Sequence, residues 1–333
     1  MMPASSRGPV RGRPATAKQK LRSWAPLLAL LALCLGFSVA DPGFATLENL
    51  RTIVDHAAIP LILAVGATFI ILQGSIDLSI EGVMATSSLT VALCVLNSRT
   101  GLDLGLIGIA LAALAGAGWG LVSGLVVARL RVPSFMVTLG VWSAAMGLAM
   151  LLSGDQPPLI QDQALRALGL GRTLAIPNLV IVAVIILLLG CVLQSYTRFG
   201  RYSMAIGSGE DLARLSGLAV DRYKVLAFAF GGCLSGLGGA LESIRIGLGH
   251  VDIGLGQMFA TIAAVVIGGT WLSGGRGGVL QSAVGTLLLA VLVDGLVFLG
   301  VTPYVHKAVQ GVLILSAVLI TTWHLRSRLR VVK

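Results

Sequence analysis

Charge is what this chain lacks. Of its 333 residues only 11% are Asp, Glu, Lys or Arg, against 56% hydrophobic. Soluble domains carry about a quarter charged residues, so a water-exposed globule of this size is excluded and the apolar surface must meet lipid. In lipid only helices and closed barrels satisfy their own backbone groups. A barrel needs short strands alternating apolar with polar residues. That alternation is missing: the runs from Leu174 to Leu193 and from Leu280 to Leu299 are nearly continuous apolar stretches. Helices remain.

Other absences narrow the chemistry. Only four cysteines occur, Cys34, Cys94, Cys191 and Cys233, each within or beside an apolar run, with no CxxC spacing and no nearby His. They read as small packing residues, and no disulfide or metal site is expected. No GxxxxGK[ST] stretch exists, so the chain cannot bind ATP through a Walker loop of its own. HExxH, GxSxG and dense acidic clusters are missing, and His56, His250, His306 and His324 are scattered as interfacial residues. A membrane-embedded enzyme therefore has no support, and no cofactor is expected.

The charge that is present is lopsided, with a net +10. Its basic residues flank apolar runs, which is a topology signal and not the continuous face of a nucleic-acid binder. A span needs about 20 apolar residues, and ten segments qualify: 24–40, 54–72, 82–97, 104–128, 133–152, 174–194, 223–246, 256–272, 278–299 and 305–323. With both termini in the cytoplasm, 18 of the 24 Lys and Arg lie on the inner side, as the positive-inside rule requires. The expected fold is an all-α integral membrane protein, a bundle of about ten transmembrane helices with broken or re-entrant segments. Residues 1–23 read as a basic cytoplasmic tail, 24–323 as the membrane domain and 324–333 as a second basic cytoplasmic tail. The segment Trp24 to Ala40 reads as a retained span, although Ser38-Val39-Ala40 resembles a cleavage site.

Glycine, by contrast, is abundant, with 43 residues. Ala112, Gly116, Gly120 and Gly124 repeat every fourth position, the spacing that lets helices pack closely in lipid; Gly231, Gly232, Gly236, Gly238 and Gly239 read the same way. Two loops exceed a turn. The outer one, Ser153 to Thr173, suits an extracytoplasmic partner. The inner one, Ser195 to Arg222, reads as a short amphipathic helix because Leu212, Leu215 and Leu218 recur at three-residue steps. Glu242 and Arg245, three apart on one helix, are expected to pair.

Two segments interrupt the apolar pattern. Gln73-Gly74-Ser75-Ile76-Asp77-Leu78-Ser79-Ile80-Glu81-Gly82 places two carboxylates between candidate spans. Intramembrane carboxylates are costly and mark function; a loop whose Ser79 or Asp77 caps the next helix explains them equally. Gly268 to Gly278 is dense enough in glycine for a tight re-entry, and paired breaks point to a transport pathway.

These segments carry a resemblance. Ala67 to Leu72 with Gly74 and Ile76-Asp77-Leu78-Ser79, Val132-Pro133-Ser134-Phe135 with Thr138-Leu139-Gly140, Ala205-Ile206-Gly207 through Ala213-Arg214-Leu215-Ser216-Gly217, and Ala263 to Gly278 occur in the order of four blocks of the ribose-transport-type permeases of ABC importers. The chain resembles that family from about residue 50 to residue 320. It departs at Gln73, Ser75, Glu81 (where Gly is common) and Trp271.

The resemblance implies a non-catalytic permease subunit in a bacterial inner membrane. It implies as partners a cytoplasmic ABC ATPase, a periplasmic sugar-binding protein and a second permease copy, identical or not. It implies a monosaccharide or related polyol as substrate, and docking on the ATPase through the loop with Gly207, Glu210, Ala213 and Gly217. Ser208 to Leu218, with Arg214 beside Glu210, is the expected coupling helix. Gln73, Ser75, Asp77, Ser79 and Thr270 are the expected pathway residues. An ABC permease for another small solute (an amino acid or an autoinducer-2-like molecule) and an ion-driven secondary transporter remain alternatives. A retained first span keeps residues 1–40 in the mature protein; an intact mass short by about forty residues, as signal cleavage gives, is the contrary result.

Overall fold

The computed structural model describes residues 17–302 together with 305, 308, 309, 311 and 312, with side chains from Trp24 onward. The basic tail before residue 17, most of the expected span 305–323, His306, Lys307 and the tail 324–333 lie outside the described residues.

The apolar runs become helices, joined by three short polar ones: α1 (Ala17–Ala40), α2 (Leu47–Leu72), α3 (Ile80–Cys94), α4 (Leu106–Leu130), α5 (Ser134–Ser153), α6 (Gln163–Leu170), α7 (Asn178–Tyr196), α8 (Arg198–Ser208), α9 (Glu210–Leu215), α10 (Val220–Ile246), α11 (Gln257–Ile267) and α12 (Val279–Phe298), the short polar ones being α6, α8 and α9. The first nine expected spans each fall on a helix. Six of these, α2, α4, α5, α7, α10 and α12, are long and apolar enough to cross a membrane. The apolar part of α1 (Trp24–Ala40), α3 and α11 are shorter. In α3 and α11 the missing length is replaced by coil, which is where the breaks lie.

Helix ends follow local chemistry. Thr46 Oγ1 accepts the Asn49 N–H at the start of α2, and Asp162 Oδ1 accepts the amides of Ala164 and Leu165 at the start of α6. Side-chain acceptors at these positions satisfy amides that have no partner inside the helix.

The core is built around α2 and α10, which are buried along most of their length; α4, α5 and α7 present broad apolar faces outward. The α4–α10 seam is made by glycine. A side chain at Gly124 would meet Val225 Cα at 2.8 Å, one at Gly232 would meet Gly120 Cα at 2.9 Å, and one at Gly236 would meet Ala112 O at 2.6 Å. Gly116 and Gly120 lie directly against the carbonyls of Gly232 and Phe228. The expected small-residue stripe thus packs on the expected glycine cluster, backbone on backbone, as lipid-embedded helices do.

One end of the bundle gathers Arg129, Arg131, Arg198, Arg201, Arg214, Arg222, Lys224 and Arg276, together with α8 and α9; we call it the basic end. At the far end the loop after α5 is ordered. It forms α6 and a hairpin of β1 (Arg172–Thr173) and β2 (Ile176–Pro177). Arg166 donates to the carbonyls of Ile244 and Arg245, both at 3.0 Å. A cation on the last carbonyls of α10 satisfies them and its dipole together. Glu242 and Arg245 do pair, at 2.8 Å. All four cysteines are unpaired.

Gly116→Ala is expected to force the α4–α10 seam apart and to cost about 1–3 kcal/mol, the usual price of overpacking. Gly118→Ala, on the same helix with nothing within 4 Å, should leave stability unchanged. Thermal unfolding of both variants in detergent measures the difference.

Candidate functional site

At the basic end three segments meet. The first is the break after α2. Gly74, at φ +73°, turns the chain out of the helix, and its N–H bonds to Ile71 O at 2.9 Å. This is the left-handed closure that glycine suits best. The chain then runs extended along α5. The Ile76 N–H donates to Ser134 Oγ and the Leu78 N–H to Thr138 Oγ1, each at 3.0 Å. Two hydroxyls one helical turn apart therefore replace the helix's own acceptors. Gly82 follows, so close that a side chain would lie 2.6 Å from Trp142 O and 3.2 Å from Ala145 Cβ. Trp142 and Ala145 stand midway along α5. Hence α3 begins halfway through the bundle.

The second segment is the glycine-rich loop between α11 and α12. Its Gly275 N–H donates to Leu72 O, the end of α2, at 2.9 Å. The Trp271 N–H donates to Arg276 O at 2.9 Å, and the Arg276 guanidinium sits 4.6 Å over the Trp271 ring. Thr270 Oγ1 accepts the Gly278 N–H at 3.1 Å. The hydroxyls of Thr68 and Ser282 lie 2.7 Å apart, with Thr270 next at 3.4 Å. Helix α12 begins after a glycine, which brings no capping side chain. Gln194 on α7 serves instead: its Oε1 accepts the Val279 N–H at 2.7 Å and its Nε2 donates to Gly277 O at 3.3 Å.

The third segment is the charged loop, where the single expected helix from Ser208 to Leu218 is corrected. The loop folds as two helices, α8 and α9, separated at Gly209. Leu212 and Leu215 are not its packing face, being 73% and 85% exposed. Ile206, Ala213 and Val220 are buried instead, with Leu218 and Tyr223 against them. The three-residue leucine row misleads because α9 has only six residues, too few for one stripe to bury itself. Gly207 of α8 lies directly against Leu72 O and Gly275 N, and Gly274 would meet Gly207 Cα at 2.8 Å. Both breaks and the charged loop thus touch at one point.

On α9, Glu210 pairs with Arg214 at 3.0 Å and with Lys224 at 2.6 Å, and Arg214 reaches Asp221 at 2.5 Å. Burial pushes the Glu210 carboxyl up, but Lys224 and then Arg214 outweigh it and hold it below the usual carboxylate range. Its support of the cluster is therefore complete above the ordinary carboxylate pKa and lost as pH falls through the lowered one. A cavity of about 370 Å³ opens between this cluster and the first break, lined by Ser75, Arg131, Ser134, Glu210, Arg214 and Lys224 among others.

Sequence reasoning left residues 247–255 as a plain connector between the spans 223–246 and 256–272 and missed its path. Residues 247–256 turn back from the far end along α3. The His250 N–H donates to Ser88 Oγ at 3.1 Å, a side chain at Gly254 would meet Glu81 Cα at 3.0 Å, and the Gly256 N–H donates to Glu81 Oε1 at 2.9 Å. So α11 begins beside the start of α3, again halfway through. The signal was the run Gly247, Gly249, Gly254, Gly256.

Of the residues expected along a pathway, Gln73, Ser75, Asp77, Ser79 and Thr270 are all 5% exposed or less. Asp77 Oδ1 accepts the N–H and hydroxyl of Ser79, at 2.8 and 2.6 Å. Gln73 Nε2 donates to Ser203 Oγ at 2.9 Å and to Tyr223 O at 3.1 Å. Ser75 borders the cavity, and Thr270 holds the second loop. Gly207, Glu210, Ala213, Arg214 and Gly217 all sit on or beside α8 and α9, with Gly217 turning the chain at φ +83°. Ser134, Thr138, Gln194 and Glu81 hold the breaks without having been singled out for it; a lone hydroxyl or amide inside an apolar run gives no periodic signal.

Residues 49–318 match the family described as branched-chain amino acid transport system / permease component. The chain is 35% identical over 316 residues to the ribose import permease protein RbsC of Escherichia coli K12, covering 93% of this chain and 97% of that protein. It is 34% identical to RbsC of Bacillus subtilis 168 (89% and 91%), and 29% identical to the L-arabinose transport system permease protein AraH of E. coli K12 (88% and 88%). No solved structure matches it.

Gln194→Leu should leave the buried Val279 N–H without an acceptor and destabilise the protein by about 1–3 kcal/mol. Gln194→Glu, which keeps an acceptor, should lose less; chemical denaturation in detergent reads both.

Proposed function

The chain belongs to the branched-chain amino acid transport system / permease component family, and from that membership we propose that it is the permease subunit of an ATP-binding-cassette importer for a monosaccharide or related polyol. The ribose and arabinose permeases among its relatives, similar along nearly their whole length, support the sugar over an amino acid. One structural observation carries the mechanism. The two breaks and the α8–α9 loop share a contact at Leu72, Gly207, Gly274 and Gly275, so a push on the loop reaches the interruptions directly.

In this reading the basic end is cytoplasmic, both termini are cytoplasmic, and about ten helices cross a bacterial inner membrane. A separate ATPase docks on α8 and α9, because the chain holds no Walker loop. A periplasmic sugar-binding protein delivers substrate to the far end, where α6 and the hairpin are displayed. A second permease copy completes the pathway. Gln73, Ser75, Asp77, Ser79 and Thr270 shape its inner end, and Ser75 opens onto the cavity beside Glu210 and Arg214. Allosteric coupling needs an element that both partners bias, and the knot at Leu72 is that element.

The test uses the chain reconstituted with its ATPase and binding protein. Glu210→Ala with Arg214→Ala should cut both uptake and substrate-stimulated ATP hydrolysis about tenfold, within the usual range of coupling energies. Uptake that persists without any ATPase partner contradicts the proposal and favours an ion-driven carrier.

A further inference from the structure

The breaks at the basic end do not exhaust the polar interior. Halfway along α5 the starts of α3 and α11 meet at Glu81. Its side chain is buried, and one oxygen, Oε1, takes the Gly256 N–H at 2.9 Å. The other oxygen has no hydrogen-bond partner among the described residues, and neither oxygen has a cationic one. Helix starts favour a carboxylate, yet a carboxylate at this depth is costly and uncommon unless it faces a polar route.

Two further observations say that a polar route is there. First, the coil leading to α11 is open at the same depth. The Asp252 side chain is 59% exposed, at a level between Ser88, bonded to His250, and Met84, touched by Gly254. Gly256 itself is exposed. Irregular backbone and an exposed carboxylate, whose nearest charge partner is His250 at 3.8 Å, are tolerated at that depth only beside protein or water. Second, among the described residues, three of the six buried side-chain polar atoms without a partner sit on the elements around Glu81: Trp142 Nε1 on α5, and Gln257 Oε1 and Thr261 Oγ1 on α11. Gln257 and Thr261 are four apart and so share one face, and Thr261 is fully buried. Buried polar atoms are nearly always bonded; these three lie on the two helices that meet α3 at Glu81 and have no partner among the described residues.

We propose that Glu81, with Gln257 and Thr261, forms a station midway through the bundle that binds the hydroxyls of a neutral polyol in transit. The free carboxylate oxygen accepts one or two hydroxyl hydrogens, the Gln257 carbonyl accepts another, and the Thr261 hydroxyl both gives and takes. The carboxylate repels anionic sugars such as sugar phosphates. Glu81 is thus a specificity-determining residue, distinct from the knot at the basic end. The proposal rests on the importer reading above.

The experiment reconstitutes the full complex and measures uptake of radiolabelled D-ribose and L-arabinose alongside ATP hydrolysis. Glu81→Gln keeps an acceptor for the Gly256 N–H and nearly the same shape. It should lower uptake of the carried sugar about tenfold, the worth of one charge-assisted hydrogen bond. Hydrolysis stimulated by the binding protein and thermal stability should stay at wild-type levels. Glu81→Asp should retain more uptake than Glu81→Gln. A merely structural role would lower stability and hydrolysis together with uptake, which overturns the proposal; so does wild-type uptake in Glu81→Gln. If the wild-type complex hydrolyses ATP but carries neither these sugars nor any other monosaccharide or polyol of a labelled panel, the importer reading falls, and the polyol at Glu81 falls with it.

Discussion

Wherever a polypeptide stops being helical inside a lipid-facing bundle, each freed N–H and C=O must find a partner within the protein. The interior of this chain is organised around meeting that demand at three interruptions. Ser134 and Thr138 take the amides of Ile76 and Leu78. Gln194 and Thr270 take those of Val279 and Gly278. Glu81 takes that of Gly256. Each acceptor is one polar side chain, on a neighbouring helix or, for Thr270, in the loop itself. The long helices can therefore remain greasy outside while polar coil persists among them.

That economy also decides what could be read from the chain before folding. Composition excluded a soluble globule, the missing alternation excluded a barrel, and the apolar runs located nine helices. The four-residue glycine stripe on α4 announced its own seam, because close backbone approach requires small residues at that period. The breaks were visible as polar and glycine-rich interruptions. Their depth was not, since depth depends on which helix the coil climbs, and nothing local in Gln73 to Ser79 names α5 as the support. The coil before α11 stood as a connector between two spans, but nothing local in residues 247–255 says that it turns back into the bundle along α3. In the charged loop a leucine row suggested a buried face; the short α9 left Leu212 and Leu215 in solvent, while the alanine between, Ala213, was buried.

Convergence at Leu72 ties these features to the proposed activity. Its carbonyl accepts the Gly275 amide and also abuts Gly207, so the ends of α2, of α8 and of the loop before α12 bear on one peptide unit. The ion cluster on α9 anchors the same loop to the base of α10 through Lys224 and Asp221. Helix α10 is in turn locked to α4 along the glycine seam. At Gly207, α8 bears on the interrupted segments main chain to main chain.

The α4–α10 seam carries an implication for how such a chain can diverge. Where two side chains meet, one can grow while the other shrinks, and pairs of positions drift together. Here Gly116 and Gly120 face carbonyls and Cα atoms of α10, and main chain has nothing to shrink. Change on one helix has no compensating change on the other. Sequence drift in descendants of this chain should therefore pass over the outward faces of α4 and α7 and leave that stripe as an immobile spine.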